Sequence, residues 1–181
     1  MAQQVIGLDM DQDRVSGVVL EASARGSEWY VVKIFEREYP AALDHEGNPR
    51  TLIQRQKSTL HALSEESLFK GGTLVTAFST QQAGLCHLSF PFNDQRKIAA
   101  VLPGMLETEV PFEVDDLAVS WRTDPSVQKL LPGEEVEVLV GFAKREKVEQ
   151  HLGLWEDTSS FPKHIRFDAQ ALSALQPWIS F

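Results

Sequence analysis

The order of apolar runs and turn signals predicts an α/β protein built as βββαβ, then βαββ, then αβα. Three observations carry this. Residues 5–10, 15–20 and 29–39 are β-rich runs separated by short polar turns, the pattern of an antiparallel meander. After Asn93-Asp94, the residues Ile98, Val101, Leu102, Met105 and Leu106 recur at helical spacing and form one apolar stripe. Over 136–142, Val136, Val138, Val140 and Phe142 alternate with Glu135 and Glu137, the period of a half-buried strand.

The remaining elements fall between these. The meander turns are Asp11-Gln12-Asp13 and Ala24-Arg25-Gly26-Ser27, and a loop over 40–49 leads to a helix over 51–63 marked by Leu52, Gln56, Leu60 and Leu63. Gly71-Gly72 stops that region and 73–78 reads as a short buried strand. A strand over 85–90 ends at Pro91, and Asn93 or Asp94 can cap the next helix. Pro103 inside that helix has no N–H for the Ala99 carbonyl, which predicts a kink or a break there. Residues 117–122 and 136–142 form a hairpin around a Pro/Gly loop. A helix over 144–155 then places Val148, Leu152 and Trp155 on one side. A strand over 164–167 and a helix over 169–175, capped by Asp168 and ended by Pro177, complete the chain.

Composition removes several classes of function. A 181-residue chain that is 43% hydrophobic and 24% charged is of ordinary globular type. Its net charge of −9 repels phosphate backbones. The one basic cluster, Lys144-Arg145-Glu146-Lys147, reads as a solvated helix start, so no nucleic-acid partner is expected. The single Cys86 excludes an internal disulfide, and its place in a strand-like run suggests a buried structural thiol. No run of ~18 apolar residues and no basic leader with an apolar core occurs, so neither a span nor a signal peptide is expected.

Few constellations can carry chemistry. Asp9, Asp11 and Asp13 alternate as at the start of a calcium loop, but Arg14 stands where its glycine is needed and Leu20 where its bidentate Glu is needed. The histidines, His45, His61, His87, His151 and His164, have no metal-binding spacing, and neither a nucleophile elbow nor a P-loop occurs. No metal and no catalytic residue is expected.

Residues 7–19, GLDMDQDRVSGVV, resemble the first phosphate-binding hairpin of the actin superfamily, G-[IL]-D-[IL]-G followed by small polar residues. Gly7, Leu8 and Asp9 match that pattern; Asp11 replaces the second glycine, and Asp13 adds another carboxylate. A carboxylate ~4 Å from a phosphate oxygen costs about 4 kcal/mol at an effective dielectric of 20, more than one hydrogen bond returns. Gly7, Asp9, Asp11 and Asp13 therefore read as a degenerate phosphate hairpin with no cofactor.

A wider resemblance rests on residues 88–121. They hold a strand ending Phe90-Pro91-Phe92, a helix with Leu102-Pro103 and Leu106-Glu107, and the acidic run Glu109-Val110-Pro111-Phe112-Glu113-Val114-Asp115-Asp116. With the later Phe167-Asp168-Ala169-Gln170-Ala171-Leu172, this pattern is similar to the cytoplasmic actin-like proteins PilM and GspL of pilus and secretion machines. The resemblance implies an RNase H-like (actin-like ATPase) half-domain, residues 1–80 plus 143–181, with an inserted βαββ subdomain at 81–142. By that resemblance a complete nucleotide site needs a second half-domain, which this chain is expected to lack.

By the same resemblance the expected role is a non-catalytic scaffold of an inner-membrane type II secretion or type IV pilus assembly platform. Its partners would be a PilN-like or GspM-like inner-membrane protein, a GspE-like secretion ATPase, or a second copy as a homodimer. It would be cytoplasmic, held at the inner membrane through partners or a C-terminal anchor. Glu113, Asp115 and Asp116 are the candidate partner-binding residues, beside a groove between core and inserted subdomain. An actin-like ATP-binding protein or a sugar-kinase-like enzyme fragment is the alternative.

Overall fold

A computed structural model describes residues 3–24, 28–123 and 134–168. The turn at 25–27, most of the loop expected at 123–134 and the helix expected at 169–175 lie outside these residues. The chain divides into two compact units, Met1–Thr80 with Gln150–Phe181, and Gln81–Glu149.

The first unit is a five-stranded mixed sheet. Strands β1 (Gln4–Met10), β2 (Arg14–Ala22) and β3 (Trp29–Glu38) form the antiparallel meander. β4 (Thr73–Phe78) runs parallel to β1, and β8 (His164–Phe167) parallel to β4, which gives the order β3-β2-β1-β4-β8. This order matches the RNase H-like arrangement that the resemblance implies.

Helix α1 (Leu52–Glu65) starts at a capping box: Gln54 N–H donates to Thr51 Oγ1 at 3.2 Å, and Thr51 N–H donates to Gln54 Oε1 at 2.8 Å. Its inner face buries Gln56, Leu60 and Leu63, whereas Leu52, in the first turn, stays exposed. Leu60 and Leu63 pack with Ile6, Leu8, Val15, Val19, Leu74 and Trp155 as the core of this unit. Gly17 is needed for close approach, because a Cβ there would sit 2.2 Å from the Phe35 ring that lies across it.

The second unit is a three-stranded antiparallel sheet, β5 (Ala83–Phe90), β7 (Val136–Lys144) and β6 (Leu117–Thr123) in that order, with helix α2 (Gln95–Glu109). Val136, Val138 and Val140 are fully buried, as their alternation predicts, while Phe142 is half-buried with its ring over Gly84. Asp94 caps α2, accepting from the N–H groups of Arg96 and Lys97.

Two expectations for α2 need correction. Ile98, Leu102 and Leu106 are buried and Met105 packs against them, but Val101 is 46% exposed. At 100° per residue Val101 lies roughly a quarter-turn from the mean direction of the others, beyond the edge of the covered face. The helix also continues past Pro103 to Glu109, so the expected break does not occur; Pro103 and Ala99 are both exposed, and water can satisfy the carbonyl that loses its donor.

Helix α3 (Arg145–Gly153) ends two residues before Trp155. No α3 residue is fully buried; the burial expected of Val148 and Leu152 passes to Leu154 and Trp155 in the turn that follows. Trp155 packs on Phe69 with ring centroids 5.6 Å apart. Cys86 is half-buried beside the second core, and burial, reinforced by Glu109, raises its thiol pKa, so it is an unreactive packing residue.

Candidate functional site

Two places hold the residues singled out from the sequence. The first is the turn between β1 and β2, where Met10 pairs with Val15 and leaves Asp11, Gln12, Asp13 and Arg14 between them. Two of its backbone donors are already engaged: Asp11 N–H donates to the Arg14 carbonyl at 3.0 Å, and Gln12 N–H to Asp11 Oδ1 at 2.7 Å. Asp13 pairs with Arg14 at 3.3 Å, and Arg14 reaches Glu36 at 3.4 Å. The hydrogen bond from Arg14 is the main reason the Asp13 carboxyl titrates below its ordinary range. A phosphate at this turn would meet carboxylates and backbone N–H groups already bonded elsewhere, which is the opposite of an anion nest.

Gly7 and Asp9 lie on β1, Gly7 opposite Val18 and Asp9 opposite Ser16. Asp9 reaches solvent, yet loss of hydration raises its pKa, and the nearby carboxylates of Asp11 and Asp168 push the same way. Asp168 follows β8 and accepts hydrogen bonds from the backbone N–H and the hydroxyl of Thr80. Strand order β1-β4-β8 thus brings together Asp9 and a carboxylate 159 positions away that the sequence marks only as a helix cap. Among the described residues no group of three or more His, Cys, Asp or Glu side chains is placed to hold a metal ion.

The second place lies within the unit Gln81–Glu149, where α2 gives way to β6. Val110 at the end of α2 and Leu117 at the start of β6 are buried, and they anchor an exposed acidic turn between them. The turn closes through Asp116 N–H to the Glu113 carbonyl at 3.0 Å. Arg145 holds it from the start of α3, donating to the carbonyls of Leu117 at 2.9 Å and Asp115 at 3.4 Å. Lys144 Nζ sits 4.9 Å from the centre of the Phe112 ring, a cation–π contact that fixes a half-exposed aromatic at the rim.

These residues wall a cavity of about 840 Å³ lined by Val110, Pro111 and Phe112 together with five carboxylates and two cations. Glu113 and Asp116 are in that lining with Glu107, Glu146 and Glu149. Asp115 is not; it contributes a backbone carbonyl to Arg145. On the other side of Pro111-Phe112 a second cavity of about 500 Å³ is lined by Gly84, Leu117, Phe142 and Lys147. Lys144 and Arg145, read from the sequence as a solvated helix start, instead position the acidic turn. Only the pairing of β6 with β7, which sets Leu117 opposite Lys144, brings them there.

No family model matches this chain, and no curated protein matches it. Solved structures do. One is the PilM-PilN type IV pilus biogenesis complex, 20% identical, covering 96% of this chain and 49% of that chain with a TM-score of 0.73. Another is the cytoplasmic domain of EpsL, an inner-membrane component of the type II secretion system of Vibrio cholerae. It is 17% identical and covers 93% of this chain and 59% of that chain, with a TM-score of 0.58. The chain thus spans between about half and three-fifths of the length of these structures. At such identities the likeness is one of fold, and at that level it bears out the resemblance to PilM and GspL read from the sequence. Among the described residues no helix is long and apolar enough to cross a membrane.

Proposed function

We propose that this chain is a non-catalytic scaffold of a type IV pilus or type II secretion assembly platform at the inner membrane, and that it works by binding other proteins. The observation that carries the reading is the fold shared, over more than nine-tenths of the chain, with components of both machines. The turn at Asp11–Asp13 supports the absence of phosphate chemistry, since two of its donors are engaged and its charges are negative. The unit Gln81–Glu149 is the inserted βαββ subdomain of an actin-like core in this reading. Its acidic groove, lined also by Val110, Pro111 and Phe112, is the partner site, suited to a short segment carrying basic and aliphatic side chains. A PilN-like inner-membrane protein is the first partner to test; a GspM-like protein and a GspE-like ATPase are the others.

The experiment is co-purification of the tagged chain with its inner-membrane neighbours, repeated with Glu113→Lys/Asp116→Lys and with Asp115→Lys. Capture of a platform protein, lost in the double variant and kept in the Asp115 variant, is the expected result. Failure to capture any platform protein with the unaltered chain overturns the scaffold reading. Capture that the double variant leaves unchanged overturns the groove as its site.

A further inference from the structure

Arg145 stands among the carboxylates of the groove as one of the two cations in its lining, Lys144 being the other. Toward a basic segment a guanidinium in that lining is a like charge, so by Coulomb's law alone Arg145 opposes binding. Its hydrogen bonds give it a different role. Nη2 donates to the Leu117 carbonyl at 2.9 Å and to the Asp115 carbonyl at 3.4 Å, so one nitrogen ties the end of the acidic turn to the first residue of α3. Leu117 is buried and sits opposite Lys144 across the β6–β7 ladder, which fixes the place from which Arg145 reaches.

The turn has little else to hold it. Between the buried anchors Val110 and Leu117, Val114 packs against the core of the unit, while Pro111, Phe112, Glu113, Asp115 and Asp116 are exposed. Its own backbone bond, Asp116 N–H to the Glu113 carbonyl, closes a single 3-10 turn. Glu113 and Asp116 also share the cavity with Glu107 of α2 and Glu146 and Glu149 of α3, and carboxylates gathered around one space repel. Arg145 offsets that repulsion and grips the turn by two carbonyls.

We propose, on the reading of this groove as the partner site, that Arg145 is a positioning residue: it favours a basic segment by holding the acidic turn in its binding shape, although its own charge opposes that segment. The mark of this role is a reversal of sign. Were Arg145 to act by charge, a neutral side chain in its place would tighten binding by about two- to five-fold, the worth of one exposed ionic contact. Acting by position, it leaves behind a loosened turn that the segment must order on arrival, and the affinity falls with the fraction of molecules already in shape. A turn in place in about one-tenth of molecules gives a loss of about ten-fold, which outweighs the gain from charge. Salt screens the charge effect and leaves the positional one, so the net loss grows with ionic strength.

The probe is a fluorescein-labelled peptide of alternating lysine and leucine, read by anisotropy against the whole chain at ~0.15 and ~0.5 M salt. Arg145→Met removes charge and donors at similar length, whereas Arg145→Lys keeps the charge and a donor. The affinity should fall about two- to five-fold in Arg145→Met at the lower salt and approach a ten-fold loss at the higher, with at least half of the loss recovered in Arg145→Lys. A second readout needs no ligand. The Asp116 amide should exchange its hydrogen about ten-fold faster in Arg145→Met, while the amides of β7 stay protected and show the unit still folded. Tighter or unchanged peptide binding in Arg145→Met, or equal exchange at Asp116, overturns the proposal. Peptide binding that Glu113→Lys/Asp116→Lys leaves unchanged overturns the groove as the site, and the role of Arg145 falls with it.

Discussion

Lowering the pH should destabilise the first unit through one histidine. His151, in the last turn of α3, is enclosed beside Phe78, edge-on at 5.5 Å, with Nε2 3.1 Å from the Thr76 hydroxyl. Burial without a compensating carboxylate holds its pKa down at about 4, against an ordinary 6.5. Because the folded pKa is the lower, the unfolded chain takes up the proton first, and stability is lost as the pH falls from about 6.5 to about 4. The interval corresponds to about 3 kcal/mol at 1.36 kcal/mol per unit, a large part of the stability of a small domain. The assay is urea denaturation followed by tryptophan fluorescence between pH 4 and 7.5, comparing the native chain with His151→Gln, which keeps a polar group near Thr76 and cannot titrate. Carboxylates act alike in both, so the difference between the two curves isolates His151. It should grow by up to about 3 kcal/mol toward low pH. Parallel curves, or an imidazole titrating near 6.5 by NMR, would refute the reasoning.

Two further outcomes follow from the packing and the turn. Leu106→Ala should cost about 2–5 kcal/mol of stability, because Leu106 is fully buried, whereas Val101→Ala, on the exposed edge of the same helix, should cost under about 1 kcal/mol; denaturant midpoints decide between them. Titration calorimetry with millimolar ATP and magnesium should show no saturable heat; a dissociation constant below ~100 µM, abolished by Asp11→Ala, would contradict the account of the hairpin.

Much of the secondary structure was legible because its causes are local. The limits of β4 and β8 come from runs of residues bracketed by their own turn signals. A cap for α2 at Asn93 or Asp94 was legible from their side-chain acceptors just before the apolar stripe, and the structure uses Asp94. The alternation of β7 needs only a sheet with one covered face. Where local reasoning erred, the error lay in how far a neighbour reaches. Val101 belongs to the apolar stripe by spacing, but the covered face of α2 stops short of it. Trp155 belongs to the periodicity of α3, but the helix ends at Gly153 and the ring is buried from the turn.

Among the described residues the sequence by itself determined most of the elements and their order, and it placed the carboxylates of the β1–β2 turn, which act through charges on adjacent residues. Tertiary structure alone decided which distant groups meet. Asp9 feels Asp168 because two parallel strand pairings carry the end of β8 to the end of β1. Arg145 holds the acidic turn because β6 and β7 pair in a register that sets Leu117 opposite Lys144. The exposure of β3 was decided in the same way: among the described residues the strand order pairs it with β2 alone, which no local pattern in its apolar run shows. Periodicity records the environment of each residue relative to its own element, while strand order and register are set by the summed burial of the whole chain, which no short window contains.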